Sequence, residues 1–252
     1  MKQVLICHGC SFTRWKWHTW PTFLHWFDKT NILNFGHVGS GNETISREVV
    51  HSVYKYNKQI KHMYVMWSGP DRYEVIQDDD KETIAEPTGW LRFFPDFNWA
   101  VWFCGHPDQK KHNEYQKHFL NEEHNYFKTL ERILYTQMIL EKENIPYTMM
   151  VYNKQVIKHD NLSMAQQEIY NAIDWTKFKF YKDKLGLDEF AHENYPDQFD
   201  KGDGHPLPFA HYKWVKDIIF KTEIDPPEYD YEKLDKNKIS KNLHGGGLWG
   251  ME

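Results

Sequence analysis

The stretch that decides the fold is Gln3-Val4-Leu5-Ile6-Cys7, followed at once by His8-Gly9-Cys10-Ser11. The first five residues form a short apolar run without polar–apolar alternation, which predicts a strand buried on both faces of a parallel sheet. A sharp glycine-bearing turn then carries the chain over the end of that strand. Ligands of parallel α/β proteins bind at the carboxyl ends of the strands, so we expect Ser11 to be exposed at a functional rim.

Two further segments repeat this pattern. Asn31 to Phe35 and His62 to Trp67 are also short and apolar, and the loops that follow them, residues 36–42 and 68–72, contain glycine. Three such strands, each ending in a loop where the backbone can come close to a ligand, indicate one sheet with its loops on a common edge.

The segments between these strands have apolar residues at helical spacing. Thr19, just before Trp20-Pro21, is the predicted cap of the first helix, and its N-terminus is expected to favour negative charge near Ser11. Asn42 or Thr44 is the predicted cap of the second helix. The alternation of strands and helices predicts a three-layer α/β/α fold with a mostly parallel central sheet.

Later segments extend the pattern. We predict a long helix from about Glu114 to Glu143, a strand from Pro146 to Tyr152 and a helix from Pro208 to Phe220. The predicted organisation is one domain over residues 1–220, with an insertion at about 74–112 that caps the site, and a C-terminal arm over residues 221–252.

Composition restricts the function. The 252 residues carry a formal net charge of -5 without a basic stripe, which argues against nucleic-acid binding. No apolar run is long enough for a membrane span or a signal peptide, and the three cysteines form no even framework. We therefore expect a cytoplasmic protein without disulfides and without a membrane partner.

The candidate chemistry rests on residues that follow predicted strands. Ser11 is the candidate nucleophile, and Asp203-Gly204-His205 offers a base together with the carboxylate that would orient it. Gly39 can offer a backbone N–H to an oxyanion, and Ser68 can offer a hydroxyl. Because all of these lie at the carboxyl edge of one sheet, the sequence predicts that they converge.

These blocks resemble, in the same order, those of the SGNH (GDSL-type) hydrolase superfamily. Gly9-Cys10-Ser11-Phe12-Thr13 resembles its first block, residues 34–39 its second, and Asp203-Gly204-His205-Pro206 its last. The resemblance covers about residues 3–72 and 146–220, and is strongest to divergent, uncharacterised members found in bacteriophage genomes. It implies a flavodoxin-like sheet order and, for a phage-encoded chain, a place in the host cytoplasm.

The resemblance also implies an activity. It implies an esterase with a triad of Ser11, His205 and Asp203, an oxyanion hole formed by Ser11, Gly39 and a third donor, and no metal or organic cofactor. The chain departs from the family pattern at two points. Cys10 replaces an aspartate outside the triad, and Pro70 stands where the family has an oxyanion-hole asparagine. Proline cannot donate, so Ser68 is the substitute we predict.

Several alternatives stay open. His211 competes with His205 as the base, although its place inside the last helix favours a packing role. The 11 Trp, 15 Tyr and 16 Phe suit a carbohydrate ester as substrate, but they also suit an ordinary core. A non-catalytic carbohydrate-binding or virion-associated protein could use the same scaffold. An O-acyltransferase could use the same triad beneath an aromatic lid at residues 90–103.

Metal and redox roles have weaker support. Cys7 and Cys10 have Cys-x-x-Cys spacing, but Cys7 lies within a strand and no second pair is near in sequence. The histidines between His106 and His124 recur every six residues, a spacing that does not line one face of a helix. The acidic run Asp78–Asp80 is typical of a solvated loop. The sequence therefore predicts no metal site.

Overall fold

The computed structural model describes residues 3–72, 113–114, 117–118, 121–157 and 161–226, together with the backbone of the strands at 74–78, 91–93, 99–103 and 248–249. The strands are β1 (Val4–His8), β2 (Asn31–Asn34), β3 (Ile60–Trp67), β4 (Glu74–Asp78), β5 (Leu91–Phe93), β6 (Trp99–Phe103), β7 (Tyr147–Val151) and β8 (Leu248–Trp249). The α-helices are α1 (Trp20–Asp28), α2 (Asn42–Tyr56), α3 (Glu122–Lys142), α4 (Met164–Ala172), α5 (Leu187–Asn194) and α6 (Pro208–Trp214).

The central sheet has the strand order β7-β3-β1-β2-β8. The first four strands are parallel, and β8 adds one antiparallel strand at the β2 edge. The predicted mostly parallel sheet is thus confirmed, and the order β2-β1-β3-β7 is the beginning of the flavodoxin-like order. The chain reverses its winding direction between β1 and β3, which is where such sheets bind ligands at their carboxyl edge.

Successive side chains of a strand point to opposite faces of the sheet. Alternate residues of the strands therefore belong to two different hydrophobic cores. Val4 and Ile6 of β1 belong to one buried cluster, whereas Leu5 and Cys7 belong to the other. The inner strands are buried on both faces, which explains why their sequences are continuously apolar.

The helices cover the two faces of the sheet and complete the predicted three-layer fold. The first face carries α2 and α3, whose buried residues include Ile45, Val49, Leu130 and Ile133. The second face carries the aromatic helices α1, α5 and α6, which contribute Trp20, Phe23, Phe190, Tyr212 and Trp214. Many of the aromatic residues are therefore core residues.

The region between β3 and α3 contains a separate three-stranded antiparallel sheet, in the order β4-β6-β5. This sheet lies within the predicted insertion at 74–112. The predicted capping role of the insertion and the predicted aromatic lid at 90–103 both depend on side chains. Those side chains lie outside the described residues. The arm at 221–252 contributes β8, which pairs with Ile32 and Leu33 of β2.

Several helix boundaries differ from the prediction for local reasons. α3 begins at Glu122, because the Asn121 side chain caps it by accepting from the backbone N–H groups of Glu123 and His124. The last helix is α only to Trp214 and continues as a π-helix over Val215–Phe220. Within the described residues, no helix is long and apolar enough to cross a bilayer.

Candidate active site

The turn that contains Ser11, formed by Cys10–Arg14, follows β1. The backbone N–H groups of Thr13 and Arg14 donate to the Cys10 carbonyl at 2.9 and 3.1 Å, which folds Cys10–Arg14 into a tight turn. Ser11 in this turn is only 3 % exposed, so the prediction of an exposed serine is wrong. The helix that follows, α1, begins at Trp20, as the sequence predicts.

Side chains from neighbouring segments hold the turn in place. The carbonyl of Thr13 accepts from Asn34 Nδ2 at 2.9 Å and from Thr19 Oγ1 at 2.6 Å. Thr19 occupies the predicted N-cap position of α1, but its hydroxyl donates to this turn and makes no side-chain capping hydrogen bond to the helix. The backbone N–H of His37 donates to the Gly9 carbonyl at 2.9 Å, which ties the loop after β2 to the same turn.

The second part of the site is the loop that precedes α6. Asp200 organises it, because its Oδ1 accepts from the backbone N–H groups of Gly202 and Asp203 at 2.8 and 3.2 Å. Gly204 has a φ of +69°, in the left-handed region that favours glycine. In this turn the carboxylate of Asp203 lies within hydrogen-bond distance of both the backbone N–H and the ring of His205.

Ser11, His205 and Asp203 form a continuous hydrogen-bonded chain. Ser11 Oγ lies 2.8 Å from His205 Nε2, and His205 Nδ1 lies 3.1 Å from Asp203 Oδ1. Because an ionised carboxylate can only accept, Nδ1 carries the ring proton and Nε2 accepts from the Ser11 hydroxyl. This is the relation of nucleophile, base and orienting acid that a serine hydrolase needs.

The environment keeps both partners of the serine in the required protonation states. Burial lowers the pKa of His205 below its usual 6.5 and outweighs the opposing effect of Asp203, so the imidazole is neutral at pH 7. Partial burial raises the pKa of Asp203, but the backbone N–H of His205 and the ammonium of Lys16 outweigh it, so the net shift is downward. A neutral base beside an ionised acid is the resting state of such a triad.

The predicted oxyanion donors lie in the loops after β2 and β3. Gly39 has a φ of +80°, so its conformation also favours glycine. Ser68 is fully buried, and its backbone N–H donates to Asn42 Oδ1 at 2.8 Å. Its hydroxyl has no hydrogen-bond partner among the described residues.

Asn42 braces these two loops and does not cap α2, whose N-cap is Gly41. Besides accepting from the Ser68 N–H, its Nδ2 donates to the Ser68 carbonyl at 2.9 Å and to Thr129 Oγ1 at 3.1 Å. The β3 loop is held a second time by Arg72, whose guanidinium donates to the Ser40 carbonyl at 3.3 Å. The amide of Asn42 therefore fixes the backbone of Ser68 and does not bond the Ser68 hydroxyl.

His211 is not placed as the base. It is 1 % exposed inside α6, burial lowers its pKa to about 3, and its ring bonds the backbone of Pro206. This agrees with the packing role that its position in the helix predicts.

Aromatic and basic side chains surround the triad, and no local sequence pattern distinguishes them as site residues. Trp15 stacks on the His205 ring with centroids 4.1 Å apart and planes 7° apart, and Phe12 lies 5.3 Å away from the same ring. Tyr152, at the end of β7, contacts Phe12 at 5.0 Å. The guanidinium of Arg72 lies 5.7 Å from the centre of the Tyr152 ring.

No protein-family model matches the chain, and no curated protein sequence is significantly similar to it. The described residues contain no group of three or more His, Cys, Asp or Glu side chains with the arrangement of a metal site. Functional assignment therefore depends on the geometry around Ser11.

Proposed function

We propose that the protein is a serine-dependent ester hydrolase of the SGNH type. The observation that supports this most strongly is the hydrogen-bonded chain from Ser11 Oγ through His205 to Asp203. Short acyl esters are the proposed substrate class, with acetylated carbohydrates as the first natural compounds to test.

The proposed reaction begins with attack of Ser11 Oγ on the ester carbonyl carbon, while His205 Nε2 takes the hydroxyl proton. Asp203 holds the imidazole in the tautomer that can accept this proton and stabilises the imidazolium that forms. The carbonyl oxygen becomes an oxyanion. Its proposed donors are the backbone N–H groups of Ser11 and Gly39 and the hydroxyl of Ser68.

Collapse of this intermediate breaks the bond to the alcohol oxygen, which leaves with the proton from His205 Nε2. Water then attacks the acyl group on Ser11 and gives a proton to the same nitrogen. The second collapse releases the carboxylic acid and returns that proton to Ser11 Oγ. All proton transfers thus use one nitrogen atom, and no cofactor is required.

The direct test is hydrolysis of p-nitrophenyl acetate by the wild type and by Ser11→Ala. Ser52→Ala is a matched control, because Ser52 is also a buried serine but lies in α2. We expect p-nitrophenol release by the wild type and the control, and its loss in Ser11→Ala. Equal activity in all three proteins would mean that Ser11 is not the nucleophile, and no activity in folded wild type would favour the non-catalytic binding protein.

A further inference from the structure

The tripeptide Trp15-Lys16-Trp17 contacts every functional part of the acid–base loop. Trp15 stacks on the His205 ring, as described above, and Lys16 Nζ donates to Asp203 Oδ2 at 3.1 Å. Trp17 Nε1 donates to the carbonyl of Pro206 at 3.0 Å. Three consecutive side chains thus hold the residues that would serve as base and acid.

We propose that Trp15, Lys16 and Trp17 form a clamp that positions the His205–Asp203 pair against Ser11. This inference rests on the proposed function, because it assigns these side chains a role in that reaction. They are positioning residues, since each acts through His205, Asp203 or the backbone beside them.

Lys16 determines how the carboxylate is oriented. Oδ1 of Asp203 accepts from both the backbone N–H and the ring Nδ1 of His205, and Oδ2 accepts from Lys16. With both oxygens bound, the carboxylate cannot rotate without losing a charge-assisted hydrogen bond. Lys16 also places a positive charge behind the acid, which disfavours a second positive charge on the imidazole.

Trp15 determines the plane of the base. Its indole covers one face of the imidazole, and Phe12 lies at 5.3 Å with its ring tilted by 42°. An imidazole in contact with two aromatic rings has few alternative orientations, so Nε2 stays directed at Ser11. The indole also excludes water from that face and can stabilise an imidazolium by a cation–π contact.

Trp17 anchors the far side of the loop. Proline has no N–H, so the backbone of Pro206 can be held only through its carbonyl, which accepts from Trp17. The clamp lies shortly after Ser11 in sequence, so the same segment carries the proposed nucleophile and holds the proposed base.

The clamp can be tested with substitutions that remove one contact each. Lys16→Met removes the ammonium from Asp203, and Lys61→Met is its control, because Lys61 bonds Asp28 at 2.6 Å with similar exposure. Trp17→Phe removes the indole N–H together with part of the ring, and Trp175→Phe makes the same change where another indole N–H donates to a backbone carbonyl.

The first readout is the pKa of His205, measured by NMR titration of the ring protons. We expect Lys16→Met to raise it by about 0.3 to 0.5 pH unit, because it removes the cation that bonds the carboxylate partner of the imidazole, and by less at high salt. Lys61→Met should leave it unchanged. An unchanged value in Lys16→Met would overturn the proposed role of Lys16. Since this titration needs no turnover, it remains informative if Ser11→Ala shows that the esterase proposal is wrong.

The second readout is kinetic. We expect Trp17→Phe to lower kcat by about 2- to 10-fold with KM unchanged, the effect of one lost hydrogen bond on the position of the base. Trp15→Leu should lower kcat by about 10- to 100-fold, and Trp15→Phe should recover part of that loss because it keeps an aromatic ring on His205. Wild-type kcat in Trp17→Phe and Trp15→Leu would contradict the clamp.

Discussion

At the scale of single residues, Ser68 combines two unusual properties. It is fully buried at the end of β3, and its hydroxyl has no partner among the described residues. A buried hydroxyl without a partner lowers stability, so its retention needs a reason. Donation to the oxyanion is the reason that we propose, since Pro70 stands where a donor is expected.

This role predicts opposite effects of Ser68→Ala on stability and on activity. The free energy of unfolding should stay the same or increase, because no hydrogen bond of the hydroxyl to the described residues is lost. The kcat for p-nitrophenyl acetate should fall by about 100- to 1000-fold, the usual cost of one oxyanion donor. Urea titration and steady-state kinetics measure the two effects. Unchanged kcat would exclude Ser68 from the oxyanion hole.

The pH dependence of activity should follow His205. Its pKa lies below 6.5, mainly because of burial, and the base must be neutral to accept the proton from Ser11. The acid limb of kcat/KM should therefore have its midpoint below pH 6.5, with activity lost as pH falls through it. Arg72 also lowers this pKa, so Arg72→Gln should move the midpoint upward. A midpoint above 6.5 in the wild type would contradict this assignment of the base.

The triad residues could be predicted from sequence because their signals are local. Ser11 follows an apolar strand within a few residues, and Asp203 and His205 share one short turn. The roles of Trp15, Lys16 and Asn42 could not be predicted in this way. Each of them depends on contacts with a segment that is distant in sequence, and nothing in the local pattern distinguishes them from surface or capping residues.

At the scale of elements, the start of α2 connects the loops that follow β2 and β3. Asn42 occupies the first turn of this helix, and its amide bonds both backbone groups of Ser68 at the end of β3. The sequence predicted the helix and the strand, but the interaction between their ends appears only when the sheet is assembled.

Asn42→Ala should therefore destabilise the protein. It leaves the buried N–H and carbonyl of Ser68 unpaired, at a cost of about 2 to 4 kcal/mol in the free energy of unfolding. Asn57→Ala is the control near the other end of α2, where an exposed amide bonds Glu143 and its loss should cost little. Chemical denaturation distinguishes the two variants. Equal stability of Asn42→Ala and Asn57→Ala would show that the brace contributes nothing.

Strand positions and the starts of α1 and α6 were predicted closely, whereas the start of α3 was not. β3 and β7 are close to their predicted ranges, because continuous apolar runs are visible in the sequence and bounded by turn residues. The beginning of α3 depends on which of several polar residues actually caps it. Here Asn121 does so, and other polar residues near it had the same local signal.

At the scale of the whole molecule, stability should decrease in mild acid. His8 and His211 are fully buried, and burial lowers the pKa of each to about 3. For His8, the nearby Glu48 opposes this effect, whereas His37 and His51 add to it. Because these pKa values lie below the unfolded value of 6.5, the unfolded chain binds protons first. The stabilising contribution is complete above pH 6.5 and is lost as pH falls towards 3.

The expected size of this loss is about 2 kcal/mol per buried histidine at pH 5, so about 4 kcal/mol for the pair. Urea unfolding at pH 7.5 and pH 5 measures it, and His211→Gln should reduce the difference by about 2 kcal/mol. A protein equally stable at both pH values would show that these side chains are not buried in the neutral form.

The fold class was predictable because the strand–helix alternation and the doubly buried strands are encoded along the chain. The antiparallel strand β8 and the pairing of β4, β5 and β6 were not, since they join segments by backbone hydrogen bonds that need no particular residue. The same distinction applies to the site, where Ser11, Asp203 and His205 have local signals and the residues that contact them do not.

The most direct test of the central claim is covalent labelling by a fluorophosphonate, which reacts with activated serines independently of the natural substrate. Intact-mass and peptide analysis should show one adduct on Ser11 in the wild type, none in Ser11→Ala, and much slower labelling in His205→Ala. An adduct on another residue, or none on folded wild type, would contradict the proposal that Ser11, His205 and Asp203 form a working catalytic triad.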